Sequence, residues 1–234
     1  TLFTWTGSLL MLDIKGEGWS LSSGWRKNYA GNIVLRFDPT DNTNQSAKYN
    51  PLAEIRIEQT NTEDGAAASR DVADTQIIAQ MLVDPDGRGL NDHWQKTSYA
   101  LLVGVIIHLL YKHQASNQPT PTLAQVGEAL SNPDHLWEEM LENDFHHGSA
   151  HPQAALAALD MINRSDRERS SVLSSAVSYL TLYRDPVLAL NTSSSDFCVA
   201  DLMNHDQPVS LYLVVKPSDK ERIMPLIAAA SPEM

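Results

Sequence analysis

Two apolar runs in the sequence indicate buried β-strands. The first, at residues 8–14, reads SLLMLDI and stops at Lys15, and the second, at residues 209–215, reads VSLYLVV and stops at Lys216. Apolar runs of this length without polar alternation are typical of parallel strands that are covered on both faces. We therefore expect the two segments to be neighbours in one parallel sheet, with strand 8–14 at its centre.

Shorter patterns complete the predicted sheet region. A helix at 18–29 followed by a strand at 33–37 makes a βαβ unit with the first run. Near the other end, residues 199–203 form a short element of the resumed sheet region. Ser218 and Glu221 have the spacing of a capping box, which predicts a final helix over residues 223–230.

Helical periodicity replaces the strand pattern in the middle of the chain. Six helices are predicted there, over residues 70–83, 92–113, 122–130, 134–142, 152–163 and 165–183. The second of them is apolar on nearly all sides, which is typical of the centre of a bundle. The polar stretch 60–68 predicts a hinge before the bundle. The expected domains are therefore 1–61, an all-α domain at 62–184, and a return to the sheet domain at 185–234.

Six short blocks, in order along the chain, carry a family resemblance. They are Leu12–Glu17 (LDIKGE), Val34–Pro39 (VLRFDP), Tyr49–Leu52 (YNPL), Asp92–Trp94 (DHW), Ser178–Leu180 (SYL) with Tyr183–Pro186 (YRDP), and Ser210–Val215 (SLYLVV) with Pro217–Asp219 (PSD). In these blocks the chain resembles the TraG-like coupling proteins of type IV secretion and conjugation. Those proteins are hexameric P-loop ATPases that pass DNA–protein complexes to a secretion channel.

The resemblance implies an α/β fold, namely a partial RecA-like parallel sheet with an inserted all-α helical domain. The sequence departs from the family in two places, because it contains neither G-x-x-x-x-G-K-[ST] nor an apolar run ending in the Asp-Glu pair of a Walker B strand. It therefore resembles a middle part of such a protein. The whole protein would use ATP and Mg, whereas this part is expected to bind no cofactor and to hydrolyse ATP poorly, if at all.

The longest nearly unbroken apolar run, residues 99–111, is shorter than the about 20 residues that a bilayer requires, so we expect a core helix there. No signal peptide is recognisable at the start of the sequence. The resemblance places membrane helices upstream and the whole protein at the cytoplasmic face of the bacterial inner membrane. This part itself is expected to be soluble.

Charge separates the middle of the chain from the rest. The net charge is −12, and residues 61–163 hold four basic against fourteen acidic groups. Because DNA binding depends on cations that neutralise phosphates, this acidic segment is expected to repel nucleic acid and to bind protein. The resemblance implies that this segment binds relaxase, another relaxosome protein or an effector. It also implies that the whole protein forms a homo-hexamer and contacts secretion-channel components. DNA contacts of the whole protein would lie outside the acidic segment.

The candidate site residues follow the two buried runs. Asp13, Lys15 and Glu17 stand at the end of the first strand, where α/β sheets bind ligands. With the resemblance they are predicted as catalytic residues at the rim of the nucleotide site, although a charged turn is more often only solvated surface. Ser218 and Asp219 end the second run and are a weaker rim candidate, for which a helix cap is the simpler interpretation.

Other patterns leave alternatives open. His146, His147 and His151 lie within six residues and could bind zinc in a metallohydrolase, but Gly148 and the proline at 152 interrupt any helix that would align them. An exposed loop is the favoured interpretation, and no metal site is predicted. His93 and His108 are expected to be core or boundary residues. A non-catalytic, protein-binding scaffold domain is the alternative to a coupling ATPase.

Overall fold

The computed structural model describes residues 2–57 and 69–230. The chain divides into two compact units, of which the first combines Thr1–Pro51 with Asp185–Met234 and the second comprises Leu52–Arg184. We refer to them as the sheet unit and the helical unit. The domain limits expected from the sequence stay a prediction, and the predicted hinge at 60–68 lies outside the described residues.

The sheet unit contains a three-stranded parallel sheet. Its strands are β1 (Leu9–Ile14), β2 (Ile33–Phe37) and β3 (Val209–Val215), in the spatial order β1-β3-β2. Ile14 lies opposite Val215, which confirms the predicted pairing of the two apolar runs. The predicted central position of the first run is wrong, because β3 lies between the other two strands.

Burial follows this strand order. Every residue of β3 is buried, because β3 has a strand on each side and side chains packed on both faces. In β1, by contrast, Leu12 is 43% exposed and Ile14 is 36% exposed. Both lie on the face opposite Met11, which packs under the first helix, since side chains alternate along a strand. The apolar run at 8–14 thus predicted a strand and its pairing with β3, but not its place at an edge of the described sheet.

Helix α1 (Glu17–Asn28) covers one face of the sheet. Its approach is close at Gly18, where an added Cβ would lie 2.3 Å from the Cε atom of Met11. One turn later, the Ser22 hydroxyl hydrogen-bonds the Tyr212 hydroxyl over 2.7 Å, and Trp19 packs edge-on against the Tyr212 ring. Trp25, on the same helix, packs edge-on against Phe3.

Arg26 joins α1 to the segment before β1. Its side chain is fully buried, and its Nε atom donates to Ser210 Oγ over 2.6 Å. Nη1 donates to the carbonyls of Trp5 (2.7 Å) and Leu2 (3.2 Å), while Nη2 donates to the Gly7 carbonyl over 2.6 Å. All of these acceptors are neutral. The segment before β1 belongs to no strand, so the guanidinium supplies hydrogen bonds to its carbonyls that a neighbouring strand would otherwise supply.

The remaining helices of the sheet unit are α8 (Pro186–Asn191), α9 (Asp201–Asn204) and α10 (Lys220–Ala229). The short element predicted at 199–203 is helical and corresponds to α9. The predicted capping box of Ser218 is wrong, because α10 begins after a 3₁₀ turn at Pro217–Asp219 and its N-cap residue, Asp219, makes no side-chain cap hydrogen bond. Proline at 217 favours the tighter turn, which moves the helix start past Ser218.

The described part of the helical unit contains six α-helices. They are α2 (Asp71–Val83), α3 (His93–Ala115), α4 (Leu123–Ser131), α5 (Leu136–Glu142), α6 (Pro152–Asn163) and α7 (Asp166–Tyr179). Thr122 accepts from the Gln125 amide in the predicted capping box, and Ser165 accepts from Glu168 as predicted. Local cap chemistry thus explains where α4 and α7 begin.

Helix α3 is the centre of this bundle. It is buried continuously from Leu101 to Tyr111 and packs against α2, α4, α6 and α7, as its all-round apolar sequence predicts. At Gly104 the approach of α6 is so close that an added Cβ would lie 2.3 Å from the Ala157 Cβ. Among the described residues, no helix is both long and apolar enough to cross a bilayer.

Candidate functional site at the carboxyl edge of the sheet

Asp13 is buried at the end of β1 and points at the start of α1. Only 3% of the residue is exposed, and its two carboxylate oxygens accept hydrogen bonds from the amides of Gly18 (3.2 Å) and Trp19 (2.7 Å). These amides are unpaired within the helix, and a negative charge there is also favoured by the helix dipole. This geometry favours a helix cap, worth about 1 kcal/mol, over a metal ligand for Asp13.

Lys15 and Glu17 differ from Asp13 because both are exposed. The Lys15 backbone has φ of 112°, a region that non-glycine residues rarely adopt, and its amide donates to the Val215 carbonyl over 3.2 Å. Neither side chain forms an ion pair with another described residue. The strained turn thus holds one cation and one anion at the carboxyl edge of the sheet.

Ser218 and Asp219 follow β3 at the same edge, since β1 and β3 are parallel neighbours. Asp219 Oδ1 accepts from Nη2 (2.9 Å) and Nε (3.2 Å) of Arg222, whose Nη1 donates to Asp185 over 3.0 Å. The hydrogen bond from Arg222 lowers the pKa of Asp185, which caps α8. Asp219 is therefore already paired, while Ser218 is exposed and donates to Asp219.

The end of β2 adds a residue that the sequence interpretation did not select. Asp38 is 2% exposed, and it receives the guanidinium of Arg36 over 2.8 Å and the amide and hydroxyl of Thr40 over 3.0 and 2.9 Å. The signal was present, because Asp38 follows an apolar strand just as Asp13 ends one. All three strands thus carry charged residues at their carboxyl ends.

A nucleotide with Mg²⁺ does not fit the described residues on their own. The carboxylates of Asp13 and Asp38 accept bonds from protein donors, and Asp219 is held by Arg222. Within the described ranges no group of three or more His, Cys, Asp or Glu side chains could hold a metal ion. The described residues of this edge therefore present a positive charge at Lys15, but no loop whose backbone amides could bind phosphate.

The predicted histidine segment lies in the helical unit and packs into a buried polar cluster. His151 caps α6 and places Nε2 3.3 Å from Asp71 Oδ2, which also accepts from the Tyr111 hydroxyl over 2.6 Å. The ring of His146 lies 4.6 Å from that of His151, at an isolated bridge between His146 and Ser149. Among the described residues, these histidines belong to no group of three or more side chains that could hold a metal ion.

The pKa of Asp71 is well below its ordinary value. Burial alone would raise it, but the hydrogen bonds from His151, Tyr111 and the Val72 amide outweigh that effect. A carboxylate with a depressed folded pKa stabilises the protein above the unfolded pKa of about 3.9, and that stability is lost as the pH falls. Asp71 should thus make the helical unit acid-sensitive.

Replacing Asp71 by asparagine should reduce this acid sensitivity. Between pH 5 and pH 2 the free energy of unfolding of the wild type should fall by about 1–2 kcal/mol more than that of Asp71→Asn, as measured by urea titration at each pH. Asp134→Asn, at an exposed position of the same unit, should keep the wild-type pH dependence. Equal slopes for all three proteins would contradict the assignment.

The two histidines of α3 occupy different environments. His93 is exposed at the first turn, with Nε2 3.5 Å from Glu168, so the core or boundary position predicted for it is wrong. His108 is buried, and burial lowers its pKa despite Glu139 at 3.5 Å. A neutral His108 with a long contact to Glu139 is consistent with this burial. The buried position confirms the core location that was predicted for His108.

Among known protein families, one has a model that matches nearly the whole chain. A family model described as "Type IV secretory system Conjugative DNA transfer" matches residues 1–229. The chain belongs to this family. The resemblance read from the six sequence blocks to TraG-like coupling proteins of conjugation and type IV secretion is thereby confirmed.

Relatives in the conjugative DNA transfer family are longer than this chain. A conjugal transfer protein TraG of Escherichia coli is 49% identical over 232 residues, which are 97% of this chain and 35% of that protein. Protein VirD4 of Rhizobium radiobacter is 27% identical over 235 residues, covering 97% of this chain and 30% of VirD4. The chain thus spans about a third of these relatives.

Solved structures show the same fold. The plasmid coupling protein TrwB in complex with the ATP analogue ADPNP matches with a TM-score of 0.57 and 16% identity, over 95% of this chain and 44% of TrwB. TrwB with ADP and Mg²⁺ matches with a TM-score of 0.53 and 16% identity, over 95% and 44% of the two chains. The α/β class predicted for this family member, with its small parallel sheet, is confirmed.

Proposed function

We propose that the chain is the middle part of a coupling ATPase that delivers DNA–protein complexes or proteins to a type IV secretion channel. The observation that carries this proposal is the match of the conjugative DNA transfer model to residues 1–229. The parallel sheet with charged residues at one edge supports it, because α/β sheets bind ligands outside the carboxyl ends of their strands. The whole protein would act at the bacterial inner membrane as a homo-hexamer.

In this proposal, the nucleotide of the whole protein binds beside the edge formed by β1 and β3. The sequence lacks a phosphate loop and a Walker B acid, so other parts of the protein would supply both. Lys15 is then a residue of this chain that places a positive charge near a phosphate or near an acidic group of a neighbouring subunit. Asp13 would position Lys15, because its carboxylate fixes the start of α1 directly after the turn that contains Lys15.

The helical unit is proposed to be the all-α domain that recognises relaxase, another relaxosome protein or an effector. Its role would be protein recognition, because residues 61–163 carry fourteen acidic and only four basic groups. Such a surface repels nucleic acid at long range, so DNA contacts would belong to other parts of the protein. Tight, salt-sensitive binding of DNA by the chain would contradict this division of roles.

Lys15→Gly should separate stability from activity. Glycine adopts positive φ without strain, so the free energy of unfolding of the chain should rise by about 1 kcal/mol. In the full-length protein, the same change should lower ATP hydrolysis and DNA transfer by about tenfold or more, because it removes the positive charge. Chemical denaturation, phosphate release and mating assays measure the three quantities.

Lys27→Ala is the matched control, because Lys27 is an exposed lysine in the last turn of α1, far from the carboxyl edge. It should leave hydrolysis and transfer unchanged. Normal hydrolysis in Lys15→Gly would remove Lys15 from the nucleotide site. A full-length protein without ATPase activity would favour the scaffold alternative.

A further inference from the structure

The chain leaves the sheet unit and re-enters it through segments that are bonded to each other. The first piece of the sheet unit ends at Pro51, and the second piece begins at Asp185. Just before the exit, the Tyr49 amide donates to the Asn191 carbonyl over 3.0 Å. Asn191 is the last residue of α8, the first helix after re-entry. The outgoing and the returning chain are therefore in direct contact within the sheet unit.

Further contacts join the same two segments. The Lys48 amide donates to the Asp196 carboxylate over 2.7 Å, and the Asp196 amide donates to the Lys48 carbonyl over 2.9 Å. Beside this pair, the Tyr49 ring stacks on Phe197 at a centroid distance of 5.0 Å. We refer to residues 39–50 and 185–197 together as the junction, because they carry the chain to and from the helical unit.

Helix α8 is fixed to the end of β2. Asn191 is only 1% exposed, and its Nδ2 atom donates to the carbonyls of Pro39 (3.0 Å) and Asp41 (2.8 Å) in the loop that follows β2. Since the three strands are parallel, this loop leaves the same edge of the sheet as Lys15 does. A buried amide thus anchors the junction at the carboxyl edge of the sheet.

Arg222 makes the corresponding contact to the end of β3. Its Nη1 atom donates to Asp185 Oδ2 over 3.0 Å, while Nη2 and Nε donate to Asp219 in the turn that follows β3. Asp185 Oδ1 accepts from the Val187 amide over 3.0 Å, so the same carboxylate also caps α8. One guanidinium therefore joins the start of α8 to the segment after β3.

We propose that Arg222 is a positioning residue that couples the nucleotide edge of the sheet to the helical unit. Through Asp185 it holds the junction, and with it the chain on both sides of the helical unit, against the end of β3. A shift of this edge during ATP turnover would then move the junction as one piece. The inference rests on the proposed function and adds the residue through which hydrolysis would drive substrate transfer.

The exposure of this contact makes the coupling separable from folding. The side chain of Arg222 is 45% exposed, that of Asp185 32% and that of Asp219 24%. Ion pairs this exposed contribute little to stability, so loss of the guanidinium should lower the melting temperature of the chain by no more than about 4 °C. A variant without Arg222 should therefore fold, and its effect on coupling can be measured by itself.

Arg222→Ala in the full-length protein tests the coupling. ATP hydrolysis should stay within about twofold of wild type, whereas DNA transfer in mating assays should fall about tenfold or more, because hydrolysis no longer moves the junction. A purely structural role would lower both rates in parallel, and that result would contradict the proposal. Unchanged transfer would contradict it as well.

Two further variants separate the contact from its surroundings. Asp185→Asn keeps the cap of α8, since asparagine caps a helix as well as aspartate does, but it removes the charge that holds Arg222. It should show the same split between hydrolysis and transfer, with a smaller loss of transfer. Glu221→Gln is the matched control, because Glu221 is an exposed acid beside Arg222 that forms no ion pair with another described residue. It should leave both rates unchanged.

Hydrogen exchange of the 234-residue chain tests the contact without the rest of the protein. In Arg222→Ala the amides of α8 should exchange about two- to fivefold faster than in wild type, because the guanidinium no longer holds the capping carboxylate. The amides of α1 should keep their wild-type rates. Unchanged exchange in α8 would show that Arg222 does not hold the junction, and the proposal would be wrong.

Failure of this proposal differs from failure of the proposed function. A wild-type full-length protein without ATPase activity would remove both. If the wild type hydrolyses ATP and Arg222→Ala transfers DNA normally, only the coupling role of Arg222 is lost. Lys15→Gly should lower hydrolysis and Arg222→Ala should not, so the two variants test different roles.

Discussion

Arg26→Ala is expected to lower the free energy of unfolding by about 2–4 kcal/mol, because each buried polar group left unpaired costs about 1–3 kcal/mol. The substitution removes four hydrogen bonds, to Ser210 and to the carbonyls of Leu2, Trp5 and Gly7. Ser210 Oγ and the Gly7 carbonyl keep bonds from Asn32 Nδ2 over 2.9 and 3.2 Å, so the carbonyls of Leu2 and Trp5 bear most of the loss. Urea denaturation, followed by tryptophan fluorescence, measures the effect.

Lys27→Ala is the control for this change, since the next residue of the same helix is exposed and should alter the free energy by no more than about 0.5 kcal/mol. Arg26→Lys should recover only part of the loss, because an ammonium group cannot reach acceptors in the directions of a planar guanidinium. If Arg26→Ala were no more costly than the control, the buried guanidinium would not stabilise the fold.

Gly104→Ala is expected to cost about 1–3 kcal/mol in the free energy of unfolding, the usual range for overpacking a core. The new methyl group would lie 2.3 Å from the Ala157 Cβ and 3.2 Å from the Gln153 carbonyl oxygen. Neither neighbour is the end of a flexible side chain, so α3 and α6 would have to move apart. Thermal and urea denaturation of the chain report the loss.

Gly127→Ala makes the same chemical change, but it should raise the free energy of unfolding instead of lowering it. Gly127 lies inside α4, and an added Cβ would come no closer than 3.5 Å to Leu180, an ordinary contact. Because alanine is the better helix former, this variant should gain about 0.5–1 kcal/mol. Equal changes in the two variants would show that helix propensity, and not packing at Ala157, decides the outcome at residue 104.

The sequence predicted strands and helices best where the determining signal is local. The caps at Thr122 and Ser165 lie within three residues of the groups that they satisfy. The pairing of β1 with β3 was also predictable, because both read as buried strands. The strand order was not predictable, since nothing in the apolar run at 8–14 shows that β1, with Leu12 43% exposed, lies outside β3 in the described sheet.

The candidate site was predictable only in part, for the same reason. The sequence places charged residues at the ends of β1 and β3, but it does not show that the Asp13 carboxylate caps α1 or that Arg222 pairs with Asp219. The buried bond between Arg26 and Ser210 spans 184 positions, and that between Asp71 and Tyr111 spans 40. No local sequence pattern predicts partners that lie so far apart in the chain.

The position of β3 between β1 and β2 has a consequence for how the protein is made. On the ribosome, β1 and β2 emerge before β3, and among the described residues both pair with residues 209–215 and not with each other. The two described ladders, β1 with β3 and β2 with β3, therefore close only after the whole of Leu52–Arg184 has been made. Such long-range pairing is slow to form, so the early strands stay open to wrong partners throughout translation of the helices.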